Sequence, residues 1–228
     1  MRHLYLLLLN LIIGPLGVLA QEPEPVAFPR WYVGLQYGRQ DFLLALKNSA
    51  ESARTNTRRP QVTVGYQIKP RLAVQLGMAP VTQSFTFGGS GTNPAGQPVS
   101  EIGSSKGRSL AIPVLARYTL AAKPWKNLRI DASAGGVLFW SHSQTEFTRT
   151  DNGVVTSRYE TTTDIMNAFM ALGPSARYEF GRHVDVLADW LFYKNLRRGT
   201  ATQVGGTGNS LGITNSLSLG VRYRFGYR

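Results

Sequence analysis

Apolar and polar residues alternate along most of this chain after Trp31. The clearest segment is the last. Leu217, Leu219, Val221, Tyr223, Phe225 and Tyr227 share one parity, and Ser216, Ser218, Gly220, Arg222, Arg224 and Gly226 share the other. Successive side chains of a β-strand point to opposite sides, so the segment predicts a strand with one apolar face and one polar or glycine face. Trp31, Val33, Leu35 and Tyr37 alternate in the same way with Tyr32, Gly34, Gln36 and Gly38. Further strands are predicted around Val62 to Ile68, Leu72 to Met78, Leu110 to Tyr118, Ile130 to Trp140, Met166 to Tyr178 and Val184 to Phe192. Phe169 breaks the parity of the sixth of these segments. One such strand suits a soluble sandwich as well as a membrane barrel, since the apolar face meets a core in the first and lipid in the second.

The connections separate the two. Gaps between predicted strands run long (Gln40 to Pro60), tight (Lys69 to Arg71), long (Gly88 to Lys106), medium (Ala121 to Asn127), long (Phe147 to Tyr159), tight (Gly181-Arg182) and long (Leu196 to Gly212). Outer-membrane barrels sort their connections this way, with short periplasmic turns, long extracellular loops and an even strand number. The expected fold is therefore all-β, an eight-stranded antiparallel up-and-down transmembrane β-barrel, with a lipocalin-like or sandwich fold as the competitor. Residues 41–58, which include Phe42, Leu43, Leu44 and Leu46, form either a short amphipathic helix or an extension of the first hairpin. Aromatics fall near both expected rims: Trp31, Tyr118, Trp125, Tyr178, Phe180, Tyr223, Phe225 and Tyr227 at the periplasmic end, and Phe85, Phe87, Trp140, Phe147, Tyr159 and Phe192 at the outer end.

The N-terminus fixes the compartment. An apolar run from Leu4 to Leu19 ends in Val18-Leu19-Ala20 before Gln21, which predicts a signal peptide over 1–20, a short leader over 21–29 and the barrel domain over 30–228. Beyond Ala20 no apolar stretch approaches the roughly 20 residues of a membrane-crossing helix. With 0 Cys, neither a lipid-anchored lipoprotein nor a disulfide-held secreted domain fits. The localisation expected is the bacterial outer membrane.

Loss of Arg2 with the signal peptide takes one unit from the formal net charge of +12. Export argues against nucleic acid as the partner. The basic residues are also dispersed, with Arg54, Arg58 and Arg59, Lys106 and Arg108, and Arg197 and Arg198 placed in loops that face anionic head groups or water. The partners expected are outer-membrane lipid and, during assembly, periplasmic chaperones and the barrel-insertion machinery. The chain is expected to be a monomer, and an external ligand is not specified.

Candidate chemistry lies on the inward parity. Arg117, Asp131, Arg177, Glu179, Asp185, Asp189, Arg222 and Arg224 all carry it, four basic and four acidic. An eight-stranded barrel is just wide enough for side chains to fill it, and unpaired charge inside is costly. A structural, mutually paired network plugging the lumen is the expectation, against a gated polar pathway. Ser141-His142-Ser143 with Glu146 suggests an acyl hydrolase, but neighbours on a strand point apart and no Ser joins the His142 face. His183 has no second His or Cys nearby, and the Gly-rich stretches Gly88 to Gly91 and Gly205 to Asn209 lack the helix and Lys of a phosphate cradle. No catalytic residue, metal or cofactor is predicted, and the chain is read as a non-enzyme.

The segment Leu110-Ala111-Ile112-Pro113-Val114-Leu115-Ala116-Arg117-Tyr118 resembles the L-x-I-P-L-L-x-K-Y strand of the outer-membrane β-barrel family common in Bacteroidota, which includes PorT-like proteins. Asp131 to Phe139, Ala171 to Tyr178 and the ending Leu219 to Phe225 are similar to later strands of that family, while Gly226-Tyr227-Arg228 runs past its usual terminal Phe. The resemblance implies fold and location. It also implies, as one functional alternative, an accessory of protein secretion or transport.

Overall fold

Each alternating segment forms a strand, and its parity decides which way it faces. The structure, a computed structural model, describes residues 28–45, 52–93, 96–125, 127–196 and 212–227. Its strands are β1 (Pro29–Ala45), β2 (Ser52–Lys69), β3 (Leu72–Thr92), β4 (Pro98–Trp125), β5 (Leu128–Asp151), β6 (Val154–Phe180), β7 (Val184–Asn195) and β8 (Ile213–Tyr227). Each pairs antiparallel with the next, and β8 closes onto β1 in the register Trp31↔Phe225, Val33↔Tyr223 and Leu35↔Val221. Closure leaves no free strand edge inside the wall, so the backbone ladders there run from strand to strand around the ring.

The outward face is apolar and open. Leu217, Leu219, Val221, Tyr223 and Phe225 of β8 are all exposed, Leu219 to 63%. The inward face is buried and mixed. Phe169 follows its neighbours Asn167 and Ala171 into the interior, which accounts for the break in parity.

The long outer connections differ from expectation. β4, β5 and β6 run 28, 24 and 27 residues, whereas β7 has 12. Gly88 to Gly91 belong to β3, and Lys106 and Arg108 to β4, so these stretches are strand rather than loop. The gap from Phe147 to Tyr159 is strand except for the turn at Asn152 and Gly153, whose φ values of 50° and 80° form the left-handed pair favoured in two-residue hairpins. Above the barrel both faces of a strand meet water, so no alternation marks it. The ladder between β1 and β2 likewise continues to Ala45↔Ser52, which makes 41–45 and 52–58 an extended hairpin and not a helix. Phe85, Phe87, Phe147 and Tyr159 sit on these extensions with inward parity, so they do not belong to an outer membrane girdle. The expected signal peptide (1–20), Arg197, Arg198 and the Gly205 to Asn209 stretch lie outside the described residues.

Candidate functional site

The interior has two layers. In the lower one, toward the tight turns, the eight charged residues come together. Arg117 grips Asp189 with two guanidinium hydrogen bonds, Nη1 donating to Oδ1 at 2.9 Å. Asp189 also accepts from Gln36 Nε2 at 2.7 Å. Both partners of this pair are nearly sealed from solvent, at 4% and 2% exposure. Arg177 Nη2 donates to Asp131 at 3.2 Å, and its Nη1 lies within ion-pair distance of Glu179 and Asp185. Asp185 is shared by Arg222 and Arg224, the latter 3.1 Å away. Three strands, β4, β6 and β8, supply these arginines and three, β5, β6 and β7, the carboxylates, so the network ties opposite walls together.

Sequence reading missed several members. Arg129 shares the parity of Asp131 and donates to Glu179 at 2.6 Å. Thr119 donates to Asp131 at 2.7 Å. The Tyr32 ring carries the Arg222 guanidinium 4.5 Å above its centroid. A Cβ at position 65 would overlap that ring, so Gly65 lets Tyr32 lie flat against the wall.

The upper layer was not anticipated. Phe42 sits at its centre, with ring centroids of Phe139, Phe169 and Tyr193 at 5.0, 5.0 and 4.9 Å. Leu115, Val137, Ala171 and Leu191 complete the cluster. Offset and tilted rings at these spacings attract beyond the area they bury. Arg59 caps them, fully buried, 5.6 Å from the Phe42 centroid and 5.5 Å from that of Phe139. Its Nε donates to Thr57, while Nη1 and Nη2 have no hydrogen-bond partner. The inward parity of Phe139 and Phe169 was visible in the sequence, but Phe42 and Arg59 fell in a stretch read as loop.

A closed ring of eight alternating strands, apolar outside and filled inside, is the geometry of a small membrane barrel. The sequence model of the outer membrane protein beta-barrel domain matches residues 6–225. The chain belongs to that family. Its place is the outer membrane. Among solved structures, it is similar to the N-terminal β-barrel domain of Pseudomonas aeruginosa OprF, at 12% identity and TM-score 0.41, covering 88% of this chain and 100% of that one. It is similar to Ail of Yersinia pestis, solved with the heparin analogue sucrose octasulfate, at 11% identity and TM-score 0.44, with 88% and 100% covered. A third is Neisserial surface protein A, at 15% identity and TM-score 0.41, with 86% and 97% covered. No curated protein matches the chain.

For an outer-membrane barrel the exposed residues from Leu217 to Phe225 span the length a tilted strand needs to cross the hydrocarbon, roughly 9–11 residues. The barrel wall thus ends near Trp140 and Phe192, and the rest of β3 to β6 projects outside. The projecting sheet leaves the barrel where β2–β3 pairing stops at Val62↔Met78 and β6–β7 pairing at Phe169↔Asn195. On its inner face Phe87, Gly103, Phe147 and Tyr159 stand in one register row, with the last two rings 5.0 Å apart. On its outer face His142 Nδ1 lies 2.8 Å from Asp164 Oδ1, not against Glu146 or a serine. His183 meets the Arg224 carbonyl at 3.1 Å. Among the described residues no group of His, Cys, Asp and Glu is arranged to hold a metal.

Proposed function

We propose that this chain is a non-conducting, non-enzymatic outer-membrane barrel that anchors a projecting sheet at the cell surface, where it serves envelope structure or surface interaction. The observation that carries this reading is the doubly filled lumen. The ion-paired layer around Arg117, Asp185 and Asp189 closes the periplasmic half. The ring cluster around Phe42 closes the outer half. A solute would have to displace both. The lower layer alone resists flux, because separating buried paired charges costs several kcal/mol per ion. The half-exposed row of Phe87, Phe147 and Tyr159 supplies a contact surface beyond the membrane. Export by a signal peptide over 1–20 and assembly as a monomer through periplasmic chaperones and the insertion machinery belong to the same reading.

Single-channel recording of the refolded protein in planar bilayers tests it. The expected trace is silent across physiological voltages. A stable open level in the unsubstituted protein would overturn the closed lumen and favour a role in transport or secretion instead.

A further inference from the structure

The outward face of β3, β4 and β5 changes character at a single register row. Pro80, Leu110 and Trp140 face one another across the three strands, and all are apolar. Two residues farther along each strand stand Thr82, Arg108 and His142, and two beyond those stand Ser84, Lys106 and Gln144. With Gln83 and Gly107 between them, these six residues line a groove of about 550 Å³ on the outer wall. They continue the parity of the lipid-facing residues, so the groove opens toward the bilayer side of the sheet and not toward the lumen.

Height decides what can reach it. Each step of two residues advances about 7 Å along a strand, or about 5 Å along the membrane normal at the usual tilt. The polar headgroup zone occupies roughly 5–8 Å of each leaflet beyond the hydrocarbon. The Thr82, Arg108 and His142 row therefore lies at headgroup depth above Trp140, and the Ser84, Lys106 and Gln144 row, about 10 Å up, lies at its outer edge, from which the long Lys106 side chain reaches back to it.

Charge decides the chemistry. Lys106 and Arg108 are exposed, adjacent on one face of β4, and neither is hydrogen-bonded or ion-paired. Of the carboxylates on this face, Asp164 is taken by His142, and Glu146 stands one row beyond Lys106, opposite Ser104, on the side of the groove away from the membrane. Other strands also place a cation just past their last apolar outward residue, as Arg39, Arg58 and Lys194 do, but Arg39 is paired with Asp41. Two free cations beside the Thr82 and Ser84 hydroxyls and the Gln144 amide make a convergent donor set for a phosphate.

We infer that this groove binds the phosphate of an anionic lipid head group in the outer leaflet, with Lys106 and Arg108 as the charged contacts and Thr82, Ser84 and Gln144 as neutral donors. The inference rests on the outer-membrane orientation given above and assigns one surface of that barrel a ligand class.

The test uses the full chain released from phosphatidylcholine nanodiscs doped with phosphatidate, with retained lipid counted by native mass spectrometry. Phosphatidate should be retained selectively. The K106Q/R108Q variant should hold it roughly 10- to 30-fold more weakly, the loss of two interfacial cations. R158Q, on the exposed part of β6 farther from the membrane, should retain it unchanged. Equal retention by K106Q/R108Q, or an equal loss in R158Q, would sink the site. Displacement of the lipid by inorganic phosphate alone would show a soluble-anion site and overturn the headgroup assignment. Heat-modifiable migration of each variant and a silent bilayer trace report separately on the barrel, so the site can fail while the closed barrel stands.

Discussion

Replacing Asp189 by Asn keeps the shape of the side chain and removes its charge, which isolates the contribution of the lumen network. Among the described residues Asp189 is the sole carboxylate hydrogen-bonded to Arg117, whose other side-chain hydrogen bond goes to Ser175 at 3.3 Å. At 4% exposure the guanidinium has no route to water. Leaving a buried charge uncompensated costs about 3–5 kcal/mol, against a total folding stability of order 5–15 kcal/mol. The folding equilibrium should therefore fall by roughly two to four orders of magnitude. The measurement is urea-dependent folding into phosphatidylcholine vesicles, followed by tryptophan emission as outward rings such as Trp190 enter the lipid, and by the migration of unheated samples. A second variant, Arg117→Met with Asp189→Leu, removes both charges. It should recover most of the loss, because the attraction within a buried pair is largely offset by the desolvation of its members. A cost below about 1 kcal/mol for D189N would mean that water replaces the carboxylate, and the closed lumen would then be wrong. Equal losses in D189N and the double variant would assign the effect to packing instead of charge.

Phe42→Ala removes the ring that touches three others and should cost about 3–5 kcal/mol in the same titration, with conductance still absent because the ion-paired layer is intact. Arg59→Met keeps the volume over the rings and removes two unpartnered donors, so it should be neutral or stabilising by about 1–3 kcal/mol; a clear destabilisation would show that the stacking outweighs the buried charge. Leu219→Arg, at the middle of the apolar outer face, should cost about 2–4 kcal/mol in vesicles, whereas Val154→Arg at the tip of the β5–β6 hairpin should be silent. Equal effects at the two exposed positions would contradict the membrane belt.

The wall of the barrel was legible because each of its strands divides two solvents, lipid and lumen, and parity records the division. Where both sides meet the same solvent the record disappears, so the outer parts of β3 to β6 read as loops although their backbone ladder is continuous. The same blindness hid the site on the outer face. Counting back from the turn at Asn152-Gly153 would set His142 opposite Thr163, but a register shift between Arg149 and Thr150 moves its partner to Asp164. A one-residue slip exchanges the faces of a strand, so no pattern of spacing in the sequence reveals that pair. Inside the barrel the charged residues were readable by parity, and Arg129 was missed only because the predicted fifth strand began one residue too late. Phe42 and Arg59 were lost for a different reason. They lie above the last clear alternation of β1 and β2, where the inward face turns from polar to aromatic.

The basic surplus of the chain follows from the same geometry. Within the lumen Arg117, Arg129, Arg177, Arg222 and Arg224 face Asp131, Glu179, Asp185 and Asp189, and the buried Arg59 and Asp41 offset each other in charge, so the interior contributes about one unit to the net charge of +12. The excess must sit on surfaces. Lys69, Arg71 and Arg182 are exposed at the tight turns below the belt, and Arg39, Arg58, Lys106, Arg108 and Lys194 are exposed just above it. A nucleic-acid binder would gather such charges on one continuous face. Here they ring an apolar belt at its two edges, where the counter-charge within reach is the phosphate of the head groups. Free in solution this arrangement would repel itself, whereas phosphate head groups at the two edges of the belt would neutralise each collar.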